Sequence, residues 1–251
     1  MALPKTDVPI YDLKLPLTKK DIKFRPFLVK EEKLLLMAVE SKEDLAIINT
    51  IKQVVNNCVI TEFNIDEFPM VDIEFIFLNL RARSVGEVVE LKFKCNNNVE
   101  VEDGKKKKKV ELKKCNNVMT YSINLLEIIP TIPENHTNKI VLSSKLGMIL
   151  KYPTLDVFNG IDKRTDSVES IIEILVKCID YIYDENEIYY AKDTPEAELV
   201  DFIENLTQTQ FKKVQEFFFS IPKIKTTLNF KCSKCNYEES LEVEGIQNFF
   251  T

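Results

Sequence analysis

Leu228-Asn229-Phe230-Lys231-Cys232-Ser233-Lys234-Cys235-Asn236-Tyr237 sets two thiols two residues apart, ahead of the alternating run Glu239-Ser240-Leu241-Glu242-Val243. Two cysteines on a turn between extended arms can aim at one point. That is half of a structural zinc knuckle, since zinc takes four soft ligands in a tetrahedron at about 2.3 Å each. A single Cys-x-x-Cys supplies only two of them.

The other two come from an internal repeat. Leu91-Lys92-Phe93-Lys94-Cys95 is nearly the phrase that ends at Cys232, and Lys114-Cys115-Asn116 matches Lys234-Cys235-Asn236. A strand-like run over 118–125 follows, as it does in the second copy. Each copy reads as strand, Cys, turn, Cys, strand, with the first turn swollen by a lysine-rich insertion. Pairing the copies gives a four-cysteine site of Cys95, Cys115, Cys232 and Cys235, with Zn2+ as its structural cofactor. Such a metal would tie the middle of the chain to its end. A redox pair is the other reading of Cys-x-x-Cys, but it belongs at a helix N-terminus after a strand, and here a strand pattern follows. Cys58 and Cys178 lie in apolar, helix-like stretches and read as small core residues.

Bulk composition narrows the function. A chain of 251 residues can bury a full core, and six cysteines are too few for a disulfide scaffold of that size. Residues 1–7 lead into prolines and lysines rather than an apolar run, so no signal peptide is expected. No stretch reaches the roughly 18 apolar residues of a membrane span. A soluble protein made in a reducing cytoplasm is the expectation, and there thiols favour metal over disulfide. The net charge of -6 disfavours nucleic acid as a partner for the whole surface.

Along the chain, Pro4, Pro9 and Pro16 exclude a helix from residues 1–25. This extended N-terminal arm, with a hairpin around 18–21, is either packed on its own body or lent to a neighbour. A helical block spans 26–86, with helices over 27–40, 42–58 and 66–83; the apolar positions of the third are wide enough for burial on several sides. The first Cys hairpin with its insertion takes 87–128. A loop and strand segment and a second helical block fill 129–222, with strands at 139–142 and 145–151 and helices over 166–183, 195–206 and 207–220. The second block repeats the first in outline, and the second Cys hairpin, 223–251, pairs with the first. The fold class is α+β: a mainly helical body with two Cys-bearing β-hairpins forming a zinc-ribbon-like module.

The run Lys105-Lys106-Lys107-Lys108-Lys109 is either a grip on phosphate or on an acidic partner, or a solvated hairpin tip. The second is favoured because no aromatic residue is interleaved for base stacking. Phe217, Phe218 and Phe219 are core by default and an interface if exposed. No catalytic site is expected. The one histidine, His136, has no nucleophile context, and the chain lacks Gly-x-Ser-x-Gly, His-Glu-x-x-His and any phosphate-cradling glycine loop.

Three phrases carry a family resemblance: Ile22-Lys23-Phe24-Arg25-Pro26-Phe27-Leu28-Val29-Lys30-Glu31-Glu32-Lys33, then Val85-Gly86-Glu87-Val88-Val89-Glu90 leading into Leu91 to Cys95, and the terminal Cys hairpin ending in Phe249-Phe250. Together, in this order, they resemble the T4-like bacteriophage baseplate hub subunits and hub assembly proteins. The resemblance implies a late viral protein that builds the central hub of a contractile tail's baseplate, not an enzyme. It implies other hub or tape-measure proteins as partners, with a homo-oligomer as a further arrangement, no membrane, and a place in the host cytoplasm during assembly or in the virion's tail baseplate. The competing class is a zinc-ribbon nucleic-acid-binding factor in viral transcription, using the lysine run.

Overall fold

The computed structural model describes residues 7–102, 110–158 and 168–244. It opens with an antiparallel hairpin of β1 (Tyr11–Lys14) and β2 (Asp21–Phe24), with Tyr11 opposite Phe24. Strand alternation turns Ile22 and Phe24 inward, and Leu15 beyond β1 is fully buried. From Tyr11 onward the proline-bearing segment therefore packs on its own body. Three helices follow: α1 (Val29–Ser41), α2 (Asp44–Cys58) and α3 (Met70–Ser84). The hairpin and these helices share a core that includes Phe24, Leu35, Ile51, Val54, Phe77 and Leu80.

Charge fixes the entry into α1. The fully buried Glu31 carboxylate accepts the Leu28 N–H at 2.8 Å and the Arg25 guanidinium at 3.0 Å. Burial alone would raise the pKa of this carboxyl. Arg25 and the Leu28 N–H outweigh it and hold the group below its ordinary value.

The breadth read in α3 is used in full. Ile73, Ile76, Phe77 and Leu80 face the first core, while Val71, Leu78 and Ala82 face a second one. A helix apolar on opposite sides must be an interior layer. Its first turn also carries Asp72, which has no exposed surface and accepts the N–H groups of Leu17 and Thr18, each at 2.9 Å. The carboxylate thus pins the β1–β2 turn to the positive end of the helix.

After α3 the chain forms β3 (Val88–Lys94), β4 (Asn98–Glu102), β5 (Val110–Lys114) and β6 (Val118–Asn124), with β3 paired to β6 and β4 to β5. The inserted stretch is therefore built as a second ribbon on the first hairpin. The lysine run 105–109 lies outside the described residues.

The next unit departs most from the sequence reading. Strands β7 (Lys139–Val141), β8 (Gly147–Leu150), β9 (Ile179–Tyr183) and β10 (Ile188–Tyr190) make one antiparallel sheet in the order β10-β9-β8-β7. Helices α4 (Leu155–Phe158), α5 (Val168–Lys177), α6 (Glu196–Glu204) and α7 (Gln208–Phe219) accompany it. The body is thus mixed, with several small antiparallel sheets, rather than mainly helical, and this block is no outline copy of the first. The helix read over 166–183 ends at Lys177. The Cys178 carbonyl accepts the Lys151 N–H at 2.6 Å, and Ile182 pairs with Met148, so sheet hydrogen bonds replace the next helical turns. Ile182 joins Met148, Leu175, Leu199, Val214 and Phe217 in a separate core. A capping box of Thr207 and Gln210 starts α7. Of its phenylalanines, Phe217 is buried, Phe211 and Phe218 pack partly, and Phe219 is 83% exposed. The chain's last described strands are β11 (Lys225–Lys231) and β12 (Glu238–Glu244), an antiparallel pair.

His136 closes the seam between this unit and the segment after α7. Its ring stacks on Phe217 at 5.3 Å between centroids, with Nδ1 2.8 Å from Ser220 Oγ and Nε2 3.0 Å from Tyr152 Oη. The Ser220 hydroxyl donates to the Glu216 carbonyl at 2.7 Å, so it accepts from an Nδ1–H and leaves Nε2 to accept from Tyr152. The serine proton is thus committed to the backbone and is not given to this imidazole. Burial lowers the pKa of the ring from its ordinary 6.5.

Two outcomes test this packing. Asp72→Ala leaves two amide donors without a partner and should cost roughly 2–4 kcal/mol in chemical denaturation, with Asp72→Asn losing less. Faster hydrogen exchange at the Leu17 and Thr18 amides would locate the loss. For His136 the unfolded chain takes up its proton first, so this group's contribution to stability is fully present above pH 6.5 and is lost as pH falls below it. Denaturation midpoints measured across that range should show a slope that His136→Asn flattens.

Candidate metal centre

Both hairpins reach their thiols by the same backbone geometry. In the second, Lys231 pairs with Glu238; then the Cys232 N–H bonds to the Tyr237 carbonyl at 2.7 Å and the Asn236 N–H to the Cys232 carbonyl at 2.8 Å. In the first, Lys94 pairs with Val118; then the Cys95 N–H bonds to the Asn117 carbonyl at 2.8 Å and the Asn116 N–H to the Cys95 carbonyl at 3.0 Å. Asn116 and Asn236 both take left-handed backbone, at φ 54° and 56°, a conformation that asparagine tolerates better than most residues. Cys95 therefore corresponds to Cys232, and Cys115 to Cys235. Where the second copy has Ser233-Lys234, the first grows the β4–β5 ribbon, which starts at a 2.8 Å bond from the Cys115 N–H to the Asn97 carbonyl. The long spacing is absorbed outward, and the two cysteines stay side by side at the base.

The copies then meet face to face. Phe93 and Phe230, at equivalent places two residues before Cys95 and Cys232, stack at 6.2 Å with ring planes 11° apart, and Tyr121 leans on both. Period two puts each cysteine on the same strand face as its phenylalanine. All four cysteines come together: their sulfurs lie within 4.8 Å of one another, with Cys95 and Cys235 at 3.7 Å and Cys115 and Cys232 at 3.8 Å. Sulfurs held about 2.3 Å from a tetrahedral centre stand about 3.8 Å apart, so these side chains could hold a metal ion. Cys95, Cys115 and Cys232 are buried, and Cys235 is half-buried.

Hydrogen-bond donors surround the sulfurs unequally. Burial opposes ionisation of Cys232, but the N–H groups of Cys235 and Lys234 and the Asn117 amide outweigh it and bring the thiol to about 6. Cys235 is also lowered, chiefly by the Tyr237 N–H. On the first hairpin the Asn97 N–H favours the Cys95 thiolate, yet burial and the neighbouring sulfurs prevail and push it up to about 12; Cys115 is raised in the same way against the Asn117 N–H. A cation between the four sulfurs would draw off the thiol protons that remain. The side chains of Asn97 and Asn117 also reach across to the opposite hairpin's sulfurs at 3.6 Å, contacts that the sequence reading did not anticipate.

The remaining cysteines stand apart, as read. Cys58, the last residue of α2, is buried with its thiol pushed up to about 11, and Cys178 is buried with its thiol at about 12, in both cases chiefly by desolvation. Among the described residues no helix is long and apolar enough to cross a membrane.

The chain matches the T4 bacteriophage base plate protein family over residues 8–251. No curated protein and no solved structure matches it. With nearly every residue inside that match, the chain belongs to the T4 bacteriophage base plate protein family.

Proposed function

We propose that this protein helps to build the central hub of a contractile tail's baseplate through protein–protein contacts, with its fold stapled by one structural zinc ion. The observation that carries this reading is membership of the base plate family across the chain. Cys95, Cys115, Cys232 and Cys235 would hold the zinc in a zinc-ribbon-like module, and its binding energy would be spent on folding rather than chemistry. The protein would act by binding rather than as an enzyme. The protein would meet its partners, other hub or tape-measure proteins, in the host cytoplasm during assembly and reach the virion with the tail.

Exposed apolar surface supports a role in binding. The outer side of α1 shows Val29, Leu36 and Met37 at 80%, 60% and 57% exposure, although the helix already buries its inner side. Phe219 projects from α7, and an apolar cleft of about 530 Å³ lined by Met70, Val71, Tyr152, Phe218 and Ile221 opens between the units. The acidic net charge ranks this reading above a nucleic-acid-binding ribbon.

Elemental analysis of protein purified without chelator should find about one zinc per chain. A Cys232→Ser, Cys235→Ser double variant should lose both the zinc and cooperative unfolding; a well-folded wild type free of zinc would remove the staple. Cross-linking mass spectrometry on assembling baseplates should join the chain to hub or tape-measure proteins. Cross-links confined to peripheral baseplate proteins would overturn the hub role while leaving the metal site standing.

A further inference from the structure

The inference here rests on the metal reading of the four cysteines. We infer that Asn97 and Asn117 are the positioning residues of that centre, each bridging one sulfur of its own hairpin and one of the other. The main-chain N–H of Asn97 points at Cys95 Sγ, and its side-chain Nδ2 lies 3.6 Å from Cys235 Sγ. The main-chain N–H of Asn117 points at Cys115 Sγ, and its Nδ2 lies 3.6 Å from Cys232 Sγ and 3.1 Å from Ser233 Oγ. The two sulfur pairs so bridged are the ones 3.7 and 3.8 Å apart.

The arrangement comes from a phrase written twice on the first hairpin, Cys95-Asn96-Asn97 and Cys115-Asn116-Asn117. On the second hairpin the residues two places after each cysteine are Lys234 and Tyr237. Their main-chain N–H groups serve Cys232 and Cys235, but neither side chain offers an amide. Among the described residues the side-chain amides that donate to these sulfurs all come from the first hairpin.

Four thiolates around a divalent cation leave two negative charges to spread. An N–H aimed at each sulfur takes up part of that charge, relieves repulsion between neighbouring sulfurs and fixes the direction of each lone pair. A neutral amide does this without competing with the metal for the thiolate. Because each asparagine holds a sulfur from both hairpins, it also sets the distance between them. Both side chains are half-buried, so their bonds are partly shielded from water.

The test uses the full chain with Co2+ as the probe, read by its sulfur-to-metal charge-transfer and d–d bands, and competition against a chromophoric chelator. Asn97→Ala and Asn117→Ala should each bind Co2+ roughly 10–100-fold more weakly than wild type. Their charge-transfer bands should move to longer wavelength, because a thiolate that has lost its hydrogen bond gives up an electron more easily. Asn96→Ala, at an exposed neighbour, should match wild type. Should the alanine variants fail to fold by circular dichroism, Asn97→Asp and Asn117→Asp keep the shape, remove the donors and should weaken binding further. Wild type that takes up one Co2+ per chain, with asparagine variants equal to it in affinity and bands, overturns the inference alone. Wild type that takes up no metal overturns the four-cysteine reading and this inference with it.

Discussion

Everything in this molecule hangs on two hairpins that must find each other across the chain. Cys95 meets Cys235 from 140 residues away, and Cys115 meets Cys232 from 117. Stacked Phe93 and Phe230 make that meeting apolar and directional, while the sulfurs above them make it chemical. A cluster of buried thiols has little reason to gather for its own sake, since sulfur is a weak hydrogen-bond partner. A shared cation would give it one.

The hairpins are also seated, not merely joined. Val89, Leu91 and Ile123 from the first and Ile224 and Val243 from the second converge on the outer face of α3. The inner face of the same helix supports the N-terminal hairpin and α1–α2. α3 is thus a wall common to two cores, and its buried Asp72 spends its charge on the turn of the N-terminal hairpin. The sheet built from β7 to β10 keeps a core of its own with α5, α6 and α7. In a base plate protein this division leaves the sheet unit and the outer side of α1 apart from the four-cysteine hairpins.

The site was more legible in the sequence than the body around it. A repeated phrase with two thiols is a strong signal, because each copy sets a phenylalanine and a cysteine on one strand face and an asparagine in left-handed backbone after its second cysteine. The insertion obscured only what lay between Cys95 and Cys115. The alternation of Asn98-Val99-Glu100-Val101-Glu102 marks a strand, although the lysines after it give the stretch the composition of a charged loop. Ile179-Asp180-Tyr181-Ile182-Tyr183 mimics the end of a helix because Ile179 continues the apolar spacing of α5. Its β-branched and aromatic residues favour a strand, and the partner that decides the matter, β8, lies about 30 residues upstream where helical periodicity cannot see it. The side chains of Asn97 and Asn117 were illegible for a related reason: their targets belong to the other hairpin.

The separation of the hairpins also orders events in time. At about 5–20 residues per second of synthesis, the stretch from Cys115 to Cys232 takes roughly 6 to 23 s to emerge. For that interval the first pair of thiols waits with no counterpart, while the sheet unit that lies between can bury its own core. Docking of the final hairpin is then the step that closes the chain on itself. Its schedule is set by the ribosome, and an incomplete chain is left with half a centre and an uncovered face on α3.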